Sequence, residues 1–185
     1  MPRRRHLFDD PDRFVPGTVG APGNRTFFLQ AREGTRIVSV SLEKVQVAAL
    51  AQRLVDLLEE LERRDIADAA EVEGEVGDTA PLDEPLNEAF RVGTLTLGWD
   101  TGDEMVILEA RELTEDEDED EDEDDEASED GPDLFRVRFE PAEARRFVAR
   151  ALRVLAAGRP PCPLCGQPLD PQGHLCPRRN GHLLN

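Results

Sequence analysis

Segments of this chain echo one another, and that echo limits the fold more than any other feature of its 185 residues. Phe14-Val15-Pro16-Gly17-Thr18-Val19 is answered by Phe90-Arg91-Val92-Gly93-Thr94-Leu95, and Gly23 to Glu33 by Gly102 to Glu112. Within the second pair, Leu29-Gln30-Ala31-Arg32-Glu33 faces Leu108-Glu109-Ala110-Arg111-Glu112. Ile37 to Glu43 then corresponds to Leu134 to Glu140, and a helical pattern follows each. Each half reads strand, strand, strand, helix. Two copies are too few for a solenoid, so the expectation is one domain with a pseudo-two-fold axis. The fold class that follows is α+β: two βββα pseudo-repeats forming an antiparallel sheet with two helices on one face, plus a small C-terminal zinc knuckle.

The spacing predicts a first helix from an N-cap at Ser41 to about Arg64, with Val47, Leu50, Leu54, Leu57, Leu58 and Leu61 on one stripe. A second helix opens at Glu140-Pro141, turns Ala144, Phe147, Val148, Ala151, Leu152 and Leu155 inward, and stops at Gly158. Arg145, Arg146, Arg150 and Arg153 are expected mostly on its other side. Period-two patterning puts Phe27, Leu29 and Ala31 on one sheet face, with Val106, Leu108 and Ala110 as counterparts. The opposite face mixes Phe28, Gln30, Arg32, Met105, Ile107, Glu109 and Arg111, too apolar to be fully wet and too charged to be fully buried. A cover is expected there: the tail, a second copy in a homodimer, or a ligand in a shallow saddle.

The formal charge of −19 is mostly local. Fourteen acids lie within residues 115–130, and without them the chain would carry −5. An unbroken acidic run from Glu115 to Glu126 repels itself and is expected to be disordered, within a loop over residues 114–131. It lacks the glycine and spaced ligands of a calcium loop. Four units result: a first repeat over 1–64, an acidic Pro/Gly linker over 65–88, a second repeat over 89–158, and a tail over 159–185. No apolar run is long enough to span a bilayer, and Met1-Pro-Arg-Arg-Arg leads into no apolar segment, so a reducing cytoplasm is expected.

The tail holds all three cysteines and two of the three histidines. In Cys162-Pro163-Leu164-Cys165-Gly166 a turn points two sulfurs inward while its backbone N–H groups support them, the shape of a zinc knuckle. Cys176 supplies a third thiolate, and His174, two residues before it on the same side of an extended strand, is the preferred fourth ligand; His182, after Asn180-Gly181, is the alternative. Four protein ligands close the metal to water, so the expected zinc is structural and not catalytic.

His6-Leu-Phe-Asp-Asp-Pro-Asp-Arg-Phe14, Gly17-Thr-Val-Gly20, Arg25-Thr-Phe-Phe-Leu-Gln30, Leu42-Glu43-Lys44 and the tail from Cys162 to Gly181 together resemble domain-of-unknown-function family 3090 of actinobacterial proteins. The resemblance spans nearly the whole chain. It implies a cytoplasmic bacterial protein, an acidic loop peculiar to some members, and an aromatic in place of His182 in many relatives, which favours His174. It implies no activity.

Three classes of function compete for this sequence. A non-enzymatic adaptor presents the zinc-clamped tail and the open sheet face to a protein partner. Nucleic-acid binding through the tail has only Arg159, Arg178 and Arg179 against Asp170, no aromatic ring to stack on bases, and a repelling acidic loop. An enzyme finds little: Gly17-Thr-Val-Gly20 lacks the Lys of a phosphate loop, and Ser39, Ser41 and Ser128 lack the flanking glycines of a nucleophile elbow. His6 with Asp9, Asp10 and Asp12 could form a polar cluster, but a packed or solvated histidine is the expectation. The adaptor is the preferred reading.

Overall fold

A computed structural model describes residues 3–66, 77–114, 131–158 and 162–164. The acidic run 115–130 and most of the tail fall outside them. Seven strands and two helices follow in order: β1 (Arg5–Phe8), β2 (Arg13–Val19), β3 (Thr26–Glu33), β4 (Arg36–Leu42), α1 (Lys44–Arg63), β5 (Glu88–Asp100), β6 (Met105–Glu112), β7 (Leu134–Phe139) and α2 (Pro141–Ala156). The class is α+β. All strands join one sheet in the order β1-β7-β6-β5-β4-β3-β2.

The sheet is mixed, which corrects the antiparallel expectation. β4 pairs in parallel with β5, and β1 in parallel with β7. The parallel join sets β4 beside β5, the first strand of the second three-strand group. β2-β3-β4 and β5-β6-β7 therefore succeed one another in the same sense around the sheet. β1, outside either group, supplies the edge beyond β7.

The two sheet edges, β1 and β2, are separated in the chain by residues 9–12 alone. Six interstrand spacings of ~4.8 Å would put the edges of a flat sheet about 29 Å apart, while the link from Phe8 to Arg13 reaches about 18 Å fully extended. The sheet therefore has to coil. Phe14 on β2 accordingly lies 5.1 Å from Phe139 and 6.3 Å from Phe135, both on β7, and stacks on Phe147 of α2 at 4.9 Å between ring centroids. Arg36 fastens the closure from β4: it donates to the Leu7 carbonyl at 2.9 Å and covers the Phe8 ring at 4.2 Å.

Alternation sends Leu29, Ala31, Val40, Val106, Leu108, Ala110, Val137 and their neighbours into one core shared with both helices. Leu29 and Leu108, and Ala31 and Ala110, hold equivalent fully buried positions in β3 and β6. α1 rests on β5 and α2 on β2, so each helix covers a strand of the other three-strand group, and the helices touch each other. The α1 stripe is the expected one except that Ala51 is buried and Leu57 only partly so. Ser41 is not the cap. It stays in β4, donating to Glu88 at 2.6 Å, and α1 is capped at Glu43, whose N–H donates to Gln46 Oε1 at 2.8 Å. In α2, Leu152 points to solvent, 56 % exposed, while Arg150 is buried.

The outer sheet face receives unequal cover. From Gly77 the chain passes Arg153 and Arg150 of α2 and crosses the outside of β2 and β3. Leu82 lies over Gly17, where an added Cβ would come within 2.5 Å of Leu82 Cδ2. Asp83 pairs with Gln30 twice, its N–H donating at 2.7 Å and its carbonyl accepting at 3.0 Å, which leaves Gln30 only 1 % exposed. Residues 78–83 thus act as a strap, although this stretch reads as linker in the sequence.

Gly17→Ala should destabilise the protein by about 1–3 kcal/mol through overpacking against Leu82. In a Leu82→Ala background the same change should cost far less, and a urea-unfolding double-mutant cycle measures that coupling.

Candidate functional site

Of the expected metal ligands, Cys162 is described. It is buried, 6 % exposed, and opens a turn through Pro163 and Leu164 in which the Leu164 N–H donates to Cys162 Sγ at 3.4 Å. Cys165, His174, Cys176 and His182 lie outside the described residues. Among the described residues no group of three His, Cys, Asp or Glu side chains is placed to hold a metal.

His6 sits on β1 beside Phe90, at 6.5 Å between centroids, with Nε2 buried and lacking a partner among the described residues. Burial holds its pKa below the ordinary value; Asp133 opposes this shift, and Arg36 and Arg4 reinforce it. The neighbouring acids are engaged elsewhere: Asp12 accepts the Gly34 N–H at 2.6 Å, and Asp9 faces Arg138 at 4.0 Å. The described geometry therefore gives His6 no general-base partner of the kind weighed from sequence.

A cleft of about 560 Å³ lies where β2, α2 and the strap meet, lined by Arg13, Asp78, Glu143, Arg146 and Arg150 among others. Each guanidinium nitrogen of its inner arginines, Arg13 and Arg150, donates to a protein oxygen. Arg150 donates to Pro16 O at 2.7 Å, Asp78 O at 2.7 Å, Asp78 Oδ1 at 2.9 Å and Ala80 O at 2.8 Å. Arg13 holds Asp78 at 2.5 and 3.1 Å, Asp83 at 2.9 Å, and the carbonyls of Ala80 and Pro81. Hydrogen bonds from Asp78 raise the Arg13 pKa, and Arg13 in turn depresses that of Asp78; desolvation lowers that of Arg150. A guanidinium stays protonated in either case. The cluster is a clasp that holds the strap, and its donors are spent on protein acceptors. Helical phase alone places Arg150 beside Phe147 and Ala151; the partner that makes its burial tolerable lies seventy-two residues away.

The outer face of β5, β6 and β7 is where chemistry remains exposed. Thr94, Thr96 and Gly98 are exposed, and Met105, Ile107, Glu109, Arg111, Arg136 and Arg138 are half-buried. The equivalent positions Phe28 and Gln30, under the strap, are buried. Arg138 is held by Asp100 at 2.9 Å and Asp103 at 2.7 Å, while Arg136 and Arg111 approach Glu109 only at 3.6 and 4.0 Å. Sequence alternation marked this face but did not reveal its arginine excess, because Arg3 and Arg5 join it from the far end of the chain through the parallel β1–β7 pairing.

Removing Asp78 leaves two buried guanidiniums without their shared carboxylate. Asp78→Ala should cost about 2–4 kcal/mol by urea unfolding, the lower part of the range for a broken buried pair because Asp78 is partly exposed. For His6, the folded state resists a proton that the unfolded chain accepts below about pH 6.5, so stability falls as pH drops through that value. His6→Gln should flatten the decline in Tm between about pH 7 and about pH 5.

No described helix is long and apolar enough to cross a membrane. No curated protein and no solved structure matches this chain. The model of one family, described as protein of unknown function (DUF3090), matches residues 6–176. A match over nearly the whole coiled sheet, both helices and the start of the tail places this chain in that family.

Proposed function

We propose that this protein is a non-enzymatic adaptor of the bacterial cytoplasm that docks a protein partner on the outer face of β5, β6 and β7, next to a zinc-clamped tail. The unequal cover of the sheet carries this reading. One three-strand group has its outer face sealed by the chain's own strap, while the equivalent Thr96, Gly98 and Ile107 surface of the other has no such cover among the described residues. The inner arginines of the cleft between β2, α2 and the strap are committed to the fold, which argues against that cleft as a reaction centre.

For the tail, the proposed structural zinc site is Cys162, Cys165 and Cys176 with His174, His182 being the alternative. Support comes from the buried Cys162 residue and its Leu164 N–H contact, a backbone donor of the kind that steadies a thiolate ligand. The shared strand-strand-strand-helix order, with Leu29 and Leu108 in matching places, supports descent of the two groups from one duplicated unit in an actinobacterial lineage. A homodimer through the same open face is the competing form of docking. Nucleic acid is the lesser reading, since the outward positions of β5, β6 and β7 carry no aromatic ring for stacking.

Purified protein should contain about one zinc per chain by elemental analysis. Cys165→Ser and His174→Ala should lose the metal, and His182→Ala should keep it. Ile107→Asp, on the open face, should abolish capture of the partner from a bacterial lysate while leaving zinc content and Tm close to wild type. Capture unaffected by Ile107→Asp would overturn this docking surface, and a dimeric solution mass that Ile107→Asp converts to monomer would assign the face to self-association.

A further inference from the structure

At one end of the open face, three adjacent strands bring together arginines that lie far apart in the chain. Register sets Arg5, Leu134 and Arg111 in one row across β1, β7 and β6, and Leu7, Arg136 and Glu109 in the row two residues along, on the same face. Side chains of alternate residues share a face, so Arg5, Arg111 and Arg136 all project outward. Together with Arg3 they line a hollow of about 140 Å³ whose only carboxylate among the described lining residues is Glu109. A single water needs ~10–15 Å³, so the hollow can hold a tetrahedral oxyanion with some of its hydration.

At Arg136 and Arg111 hydrogen bonding is incomplete among the described residues. Glu109 meets Arg136 at 3.6 Å and Arg111 at 4.0 Å, ion-pair distances longer than a hydrogen bond. Arg136 Nε is buried and has no hydrogen-bond partner among the described residues. A buried donor without an acceptor is costly, and clustered guanidiniums repel. By contrast, every guanidinium nitrogen of Arg13 and Arg150 in the clasp donates to a protein oxygen. The planar guanidinium fork matches phosphate geometry, and several such forks around one hollow suit a doubly charged tetrahedral anion better than a carboxylate.

We propose that this hollow is a phosphate-binding site, in which Arg136 and Arg111 donate to the anion's oxygens and Glu109 sets an upper limit on affinity by competing for them. The site borders the proposed docking face, but its test needs no protein partner, so either idea can fail without the other.

Isothermal titration of the full chain at low ionic strength, with inorganic phosphate and separately with adenosine monophosphate, decides it. Saturable one-site binding is expected. Arg136→Gln and Arg111→Gln should each weaken it about tenfold, the worth of a charge-assisted hydrogen bond. Glu109→Gln should tighten it severalfold, an effect in the opposite direction that a damaged fold would not produce. Equal affinity for the two ligands assigns free phosphate, and tighter binding of the monoester assigns an esterified phosphate; both support the site. No binding of either ligand, affinity unchanged by Arg136→Gln in a variant of wild-type Tm, or weaker binding in Glu109→Gln would overturn it.

Discussion

The molecule is organised by a short tether: residues 9–12 join β1 to β2, and these are the two edges of a seven-stranded sheet. A tether that reaches about 18 Å cannot span a flat sheet of about 29 Å. The natural twist of ~20–25° per strand, accumulated over six steps, supplies the coil that brings the edges together. Coiling then produces the core. It places Phe14 against Phe135 and Phe139 from the opposite end of the sheet, and α2 fills the mouth by resting on β2. It also manages the exposed edges: Arg36 covers β1 at the Leu7 carbonyl, and Arg150 covers β2 at the Pro16 carbonyl.

The strap follows from the parallel join of β4 and β5. A parallel pair needs a long crossover, and here that crossover contains α1 on the inner face and, from Gly77, a stretch that crosses the outside of β2 and β3. Arg13 and Arg150 hold it there through Asp78. One carboxylate shared by two buried guanidiniums is a specific fastening, since neither arginine could stay dry without oxygens from residues 78–83. The strap buries Phe28 and Gln30 but does not extend over Ile107 and Glu109. Among the described residues nothing crosses the other outer face, where arginines of β1, β6 and β7 meet.

Much of this was legible in the residues. The α1 stripe at Val47, Leu50, Leu54, Leu58 and Leu61, the inward sets Phe27-Leu29-Ala31 and Val106-Leu108-Ala110, and the start of α2 at Pro141 all follow from local periodicity. Ser41 misled because cap preference is weaker than strand pairing: β4 carries on through Leu42, and the Ser41 hydroxyl is used by Glu88. Arg150 misled because a guanidinium normally reaches for water, and its acceptors come from a stretch whose Pro, Gly and acid content reads as loose. The arginine hollow was hidden for a similar reason, since Arg5 and Arg136 meet only across a parallel pairing of the two chain ends.

By itself the sequence determined which segments become strands and helices, which side of each faces the core, and the family to which the chain belongs, because periodicity and motifs are local properties read within a dozen residues. Tertiary structure alone decided the parallel joins, the coil of the sheet, the strap and the gathering of arginines on one outer face. Those depend on contacts between residues as distant as Pro16 and Arg150, and no local pattern encodes which remote oxygen will meet a buried charge.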